Sequence, residues 1–234
     1  MKVGIMQPYV FPYLGYFQLI NAVDKFIIYD DVNFIKQGWI NRNRILLNNQ
    51  GFLYTIPLKD ASSYKLIKDV EVDEKYFETW KRKFYKSIEQ AYRKAPYYEV
   101  VNALIKNVFE SAPASISAIA IQSIRASLEY IEIDSEIILS STIYTNTHLS
   151  GQDRVIDICL QTKATQYINA EGGKELYRKE DFKRNGIVLN FLKANEIRYK
   201  QYNEGFIPSL SFIDVMMFNN KEEIKRMLSN FSLT

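Results

Sequence analysis

The first 31 residues read as strand, loop, helix and strand in immediate succession. Residues 2–6 form a short run around Val3 and Ile5, as expected of a buried strand. Pro8 and Pro12 fix φ and turn the residues before them away from helix, so 7–12 is a loop. Residues 15–23 carry the apolar rhythm of a helix, and 25–29 are β-rich and end on Asp30-Asp31. A βαβ unit of this size favours a parallel pair of strands with a right-handed crossover. Ligands of such sheets sit beyond the carboxyl ends of the strands. That places Gln7, Pro8 and Tyr9 at one edge with Asp30 and Asp31. A loop bearing Lys36, Trp39, Asn41, Arg42 and Arg44 follows directly.

Further strands are expected at 52–57, 136–140, 165–169 and 187–192, with helices at 151–160, 212–218 and 221–228. Short helical pieces fit 175–177 and 179–184, and Pro208-Ser209 reads as a helix start. Helical patterns at 74–92, 97–110 and 115–131 follow one another with no strand between, the last two separated at Ala112-Pro113. The expected fold is therefore α/β: a Rossmann-like, mostly parallel sheet of the nucleotidylyltransferase or HUP type with a helical insertion. Residues 1–73 and 132–234 would form the α/β core and 74–131 the insertion, within one domain.

The 47% hydrophobic and 24% charged shares suit a globular protein. A net charge of +3, with both signs interleaved, gives no concentrated basic face for nucleic acid. The lone cysteine, Cys159, lies in an apolar run and reads as core; with one histidine, it leaves no zinc ligand set. Gln7, Pro8 and Pro12 interrupt the apolar start too early for a signal peptide, and no window of about 18 apolar residues exists for a membrane span. The chain reads as cytoplasmic. Seventeen tyrosines, apolar in body and polar at the tip, suit a half-buried cleft as well as a core.

Five constellations carry candidate chemistry. The first is the loop from Gln7 to Tyr16, with Tyr9 and Tyr13 as binding residues; a strand, loop and Gly15 at a helix start favour anionic phosphate. The second is Asp30-Asp31 with Lys36, Asn41, Arg42 and Arg44: acids to hold an amine or a metal, arginines to clamp phosphate, or a solvated, salt-bridged turn. The third surrounds His148, the only side chain with an ordinary pKa near neutrality, followed by Asp153 and Arg154. The fourth runs from Asn169 through Gly172-Gly173 to Tyr177, where paired glycines let backbone approach a ligand or make a simple turn. The fifth is Gln201 with the stretch to Asp214, an acid inside an apolar helix that reads as a buried hydrogen-bonding residue or a site residue.

The first constellation resembles the His-x-Gly-His segment of nucleotidylyltransferases and class I synthetases over about 30 residues, but Tyr13 and Tyr16 stand at both histidine positions. The wider pattern resembles the WbqC-like family of bacterial O-antigen and surface-polysaccharide biosynthesis proteins. Carrying residues are Gln7-Pro8, Pro12, Gly15-Tyr16-Phe17, Asp30-Asp31-Val32 and Gly38 to Asn43. They continue with Asp153 to Cys159, Tyr199, Gln201, Phe206, Pro208, Leu210-Ser211 and Ile213-Asp214. Many members place His before Gln-Pro, where this chain has Met6; if that His is their base, His148 or an acid takes its place here.

The resemblance implies work on a nucleotide-activated or lipid-linked sugar. The expected function is acyl or aminoacyl transfer to the amine of a nucleotide-linked amino sugar. The donor would be a thioester on an acyl carrier protein (phosphopantetheine) or coenzyme A, with no tightly bound cofactor. Asp30 or Asp31 would orient the amine, His148 take its proton, and Arg42 and Arg44 bind the diphosphate. Backbone N–H groups at Gly172-Gly173 would hold the oxyanion. Alternatives are a nucleotidylyltransferase-like enzyme using a nucleoside triphosphate and magnesium, or a non-catalytic sugar-nucleotide or carrier-binding subunit. All of this requires the Gln7 loop, the twin aspartates and the glycine pair to share one pocket.

Overall fold

A computed structural model describes residues 1–111, 114–202 and 205–234; the expected break at Ala112-Pro113 lies outside the described residues. The chain opens as foreseen, with β1 (Lys2–Met6), α1 (Leu14–Ala22) and β2 (Lys25–Ile28). β1 and β2 pair in parallel, Val3 opposite Lys25 and Met6 opposite Ile28. A hairpin follows, β3 (Arg42–Leu47) and β4 (Gln50–Thr55). Then come α2 (Glu74–Tyr92), α3 (Tyr98–Glu110) and α4 (Ile116–Tyr130), consecutive helices with no strand between them. The rest is β5 (Glu136–Ile138), α5 (Gly151–Gln161), β6 (Gln166–Ala170), α6 (Lys179–Arg184), β7 (Val188–Ala194), α7 (Phe212–Phe218), α8 (Lys221–Leu228) and β8 (Phe231–Leu233).

The main sheet has six strands in the order β5-β2-β1-β6-β7-β8. All pairs are parallel except β7–β8. Numbered within the sheet alone, this is the doubly wound order 3-2-1-4-5-6, and the fold is Rossmann-like. Order reverses between β1 and β6, so the crevice for a ligand opens at their carboxyl ends. Strand alternation sends residues to two cores. Val3, Ile5, Ile27 and Tyr167 pack with α5 residues such as Val155 and Cys159. Phe26, Ile28 and Ile168 face α1 and join a core shared with α2–α4, α7 and α8.

Three expectations change. Residues 42–44 are strand, not loop: β3 and β4 pair antiparallel around Asn48-Asn49, whose φ values of 51° and 58° suit the primed turn of a two-residue hairpin. Asparagine tolerates that region, but without a glycine the signal is weak in sequence. The glycine pair lies inside a 3-10 segment, Glu171–Leu176, not a tight turn. Pro208-Ser209 does not start a helix: Ser209 has φ 57°, and α7 begins after Ser211, whose hydroxyl accepts from Ile213 N.

One loop residue is strained. Phe11 has φ 43°, rare for a bulky side chain, and is fully buried. Its N–H donates to Ser123 Oγ of α4 at 2.8 Å. Its carbonyl accepts from Asn43 Nδ2 at 2.8 Å and Ser211 Oγ at 2.7 Å. Strain of this kind persists where surrounding structure over-determines the backbone, and it clusters at functional sites.

Candidate functional site

A cavity of about 750 Å³ opens at the β1–β6 switch point. Its floor is Ile5, Met6 and Gln7 from the end of β1, with Asn169 and Ala170 from the end of β6. The Gln7 loop adds Tyr9 and Tyr13, β2 is followed by Tyr29, and the segment after β6 gives Gly172, Gly173 and Tyr177. Asn43 and Arg44 of β3 close one wall with Ser209. The Gln7 loop and the glycine pair thus meet in one cavity, as sequence reasoning required. Gln7, Tyr9, Tyr13, Arg44, Asn169, Gly172, Gly173 and Tyr177 are all in its lining.

The twin aspartates are not. Asp31 is buried under Tyr29 in an ion pair with Arg154; their side chains are 1% and 4% exposed. Ser141 Oγ also donates to Asp31, and Arg154 Nη1 donates to its carbonyl at 3.2 Å. Arg154 Nε donates to Asn146 Oδ1 at 2.9 Å, and the guanidinium lies 5.1 Å from the Tyr29 ring centroid. Asp30 accepts from Ser140 Oγ at 2.7 Å and Ser117 Oγ at 3.2 Å, and burial pushes its carboxyl above the ordinary range. Both carboxylates are therefore filled from within and tie the chain after β5 to the end of β2.

Other candidates also lie outside the lining. His148, Lys36 and Asp153 are exposed at other positions. Asn41 donates to Ile56 O at 2.8 Å, and Arg42 Nε to Gly38 O at 2.8 Å. Gln201 is buried; its amide nitrogen donates to Asp214 at 2.8 Å, and its oxygen accepts from Ile207 N at 2.9 Å. Asp214 also accepts from Tyr92 at 2.8 Å and Tyr199 at 2.6 Å, a closed network holding the segment before α7 against the helical insertion. Asp214 is thus the buried hydrogen-bonding residue of the two readings open in the sequence.

The cavity's charge is simple. Among the described residues Arg44 is the one cation in its lining and no carboxylate lines it. Arg44 is placed rather than loose: its N–H donates to Asn43 Oδ1 at 2.8 Å, its carbonyl accepts from Ser211 N at 2.8 Å, and Nη2 donates to Ser209 O at 3.1 Å. Its Nε is buried with no hydrogen-bond partner. Burial raises the phenols of Tyr9 (to about 12), Tyr13 and Tyr177. Tyr29 is raised by burial too, with Arg154 opposing. The phenols are hydrogen-bond donors near neutral pH, not bases. Among the described residues no group of three or more His, Cys, Asp or Glu side chains is placed to hold a metal ion. None of their helices is long and apolar enough to cross a membrane.

Gly173 is needed by close approach. A Cβ there would lie 2.8 Å from Asn169 Nδ2, whose Oδ1 accepts from Ala170 N at 2.7 Å. Gly173→Ala must therefore push Asn169 out of place. The expected result is a folded protein with roughly 3- to 10-fold weaker ligand binding, a scale set by one lost hydrogen bond. Gly172→Ala, with nothing within 4 Å of its added carbon, should fold equally well, and equal binding by the two variants would refute the role of Asn169.

Sequence reasoning gave no binding role to Tyr29, nor to Asn43 and Ser209, which it held only as members of the second and fifth constellations. Tyr29 closes the apolar run of the second strand, so its position at the strand end was readable. Asn43 and Ser209 reach the site through β3 and the strained turn, neither of which sequence pattern reveals.

The WbqC-like protein family model matches residues 7–226. The chain is also similar to the uncharacterized protein Rv1507c of Mycobacterium tuberculosis (strain ATCC 25618 / H37Rv), at 28% identity over 223 residues, covering 93% of each chain. No solved structure matches the chain. The matched span runs from Gln7 at the floor of the cavity to beyond Ser209 in its wall, and the chain belongs to the WbqC-like protein family.

Proposed function

We propose that this protein acts in surface-polysaccharide biosynthesis, the role its family suggests, by holding a nucleotide-linked amino sugar in the switch-point cavity while its amine is acylated. The observation that carries the reading is the lining: four phenols, three amides and one positioned guanidinium, with no acid among the described residues. Phenols and amides suit sugar hydroxyls, and the Arg44 guanidinium in the wall suits a phosphate oxygen. An amine must be neutral to attack. A desolvated site with a cation and, among the described residues, no carboxylate disfavours the ammonium form, so the cavity would deliver the amine as a nucleophile without His148 or the aspartates acting as base.

The donor is a thioester on a carrier protein or coenzyme A, entering from outside. The amine nitrogen bonds to the thioester carbon, the C–S bond breaks, and the proton lost by nitrogen ends on the departing sulfur. At Gly172 nothing lies within 4 Å of where a side chain would begin, so the donor carbonyl can approach the backbone N–H groups of the glycine pair. Asp30, Asp31 and Arg154 take a positioning role through Tyr29.

The test is calorimetry with UDP-glucosamine, followed by mass spectrometry after adding an acyl-coenzyme A or an acylated carrier. Binding and an acylated sugar nucleotide are expected. Arg44→Met should weaken binding by about 30-fold or more, the loss of a charged hydrogen bond. Binding without product in any donor mixture would leave a non-catalytic sugar-nucleotide subunit instead. Pyrophosphate release from a nucleoside triphosphate and a sugar phosphate would make it a nucleotidylyltransferase.

A further inference from the structure

The mouth of the cavity carries apolar surface that folding does not require. Ile35, Trp39 and Leu176 line it and are 53%, 42% and 69% exposed. Large side chains left exposed together around a cavity mark a ligand surface more often than chance does. Ile35 and Trp39 sit on a stiff turn. Gly38 N donates to Ile35 O at 3.1 Å, and Gln37 has φ 61°. A Cβ on Gly38 would lie 3.0 Å from Ile35 O and 3.3 Å from the Ile35 side chain. Arg42 braces the indole: its guanidinium carbon lies 5.7 Å from the Trp39 ring centroid, and its Nε is held by Gly38 O at 2.8 Å. Leu176 comes from the separate segment after β6.

A polar floor, one guanidinium held in the wall, and a fixed, flat, apolar mouth together describe a three-part ligand. Its inner part is hydroxylated, its middle anionic, and its outer end a flat ring. We infer that Trp39, flanked by Ile35 and Leu176, is the stacking platform for the nucleobase of the sugar nucleotide, with the diphosphate at Arg44 and the sugar among the tyrosines. The inference rests on the reading of the cavity given above and adds the part that recognises the nucleoside. Stacking on an aromatic ring accepts any base, because every base has a π-face, and the Arg42 guanidinium beside the indole adds a cation–π contact that holds its plane. A rigid ring braced in one orientation fits a planar partner better than a flexible isoprenoid chain.

The test uses Trp80→Phe as background, which leaves Trp39 as the only tryptophan of the original two. Its fluorescence is followed during titration with UDP-glucosamine, UDP, glucosamine 1-phosphate and farnesyl diphosphate. UDP and UDP-glucosamine should quench it. Trp39→Ala should weaken UDP-glucosamine roughly 5- to 100-fold, the range for losing one stacked base, while Trp39→Phe restores most of the affinity. Glucosamine 1-phosphate should bind the Trp39→Ala protein unchanged. Unaltered UDP-glucosamine affinity, equal loss for both sugar ligands, or quenching by farnesyl diphosphate and not UDP would overturn the inference. Failure of the underlying reading looks different: neither sugar ligand would then bind the unmodified cavity or respond to Arg44→Met.

Discussion

Arg154→Met should lower the free energy of unfolding by about 3–5 kcal/mol, the cost of stranding one charge of a buried pair. Asp31 would be left buried with only Ser141 as side-chain partner, since its side chain is 1% exposed. Water cannot replace the guanidinium there. The Asn146 amide oxygen would lose its Nε donor as well. Urea denaturation of the purified variant measures the effect. The double variant Asp31→Leu with Arg154→Met should recover much of the loss, because removing both charges of a buried pair is often close to neutral. A single variant costing under about 1 kcal/mol, the value of an exposed pair, would show that this pair is open to solvent. The prediction also separates stability from chemistry: activity lost on changing Asp31 should track unfolding rather than turnover.

Asp214→Leu should be comparably damaging. It leaves the hydroxyls of Tyr92 and Tyr199 and the amide of Gln201 without their acceptor in a buried site. At about 1–3 kcal/mol for each orphaned group, and with Tyr92 still accepting from Leu46 N, the loss should be about 3–6 kcal/mol. The acid carries a pH signature too. Burial raises the folded-state carboxyl pKa of Asp214, so the native state holds its proton more tightly than the unfolded chain does. Its contribution is then greatest at low pH. It declines as pH rises from about 4, the unfolded value, until the folded carboxyl has ionised. The stability of the natural protein relative to Asp214→Asn, followed by urea titration across that range, should fall with pH. A difference that rose with pH would mean that the three donors outweigh burial.

The sequence revealed the scaffold more fully than the site, for a physical reason. β1, α1 and β2 follow from local pattern: a buried apolar run, two prolines, then a helical rhythm. The helices of the insertion follow from apolar spacing and caps, with Asp73 accepting from Lys75 N and Ser115 from Ala118 N. The switch point then follows from topology, and it brought Gln7, Tyr9, Asn169 and Gly173 together as expected. Residue type alone does not place the twin aspartates, His148 and Gln201, which lie outside the lining of this cavity. An acid at a strand end looks the same in sequence whether its lone pairs face a ligand or an arginine 123 positions away. β3 was missed because its first half, Arg42-Asn43-Arg44, is wholly polar and suits a loop equally well. β8 is a three-residue strand formed only against the end of β7, with no pattern of its own.

Phe11 has a consequence for how the binding loop comes into being. Its unfavourable backbone is fastened by Ser123, Asn43 and Ser211, side chains 112, 32 and 200 positions away. No fragment lacking the insertion, the hairpin or the approach to α7 can keep the loop in this shape. The receptor surface therefore does not exist as a local unit awaiting completion; it is assembled only when distant parts of the chain have docked. A ligand arriving afterwards meets a mould already set and spends little of its affinity on ordering the chain.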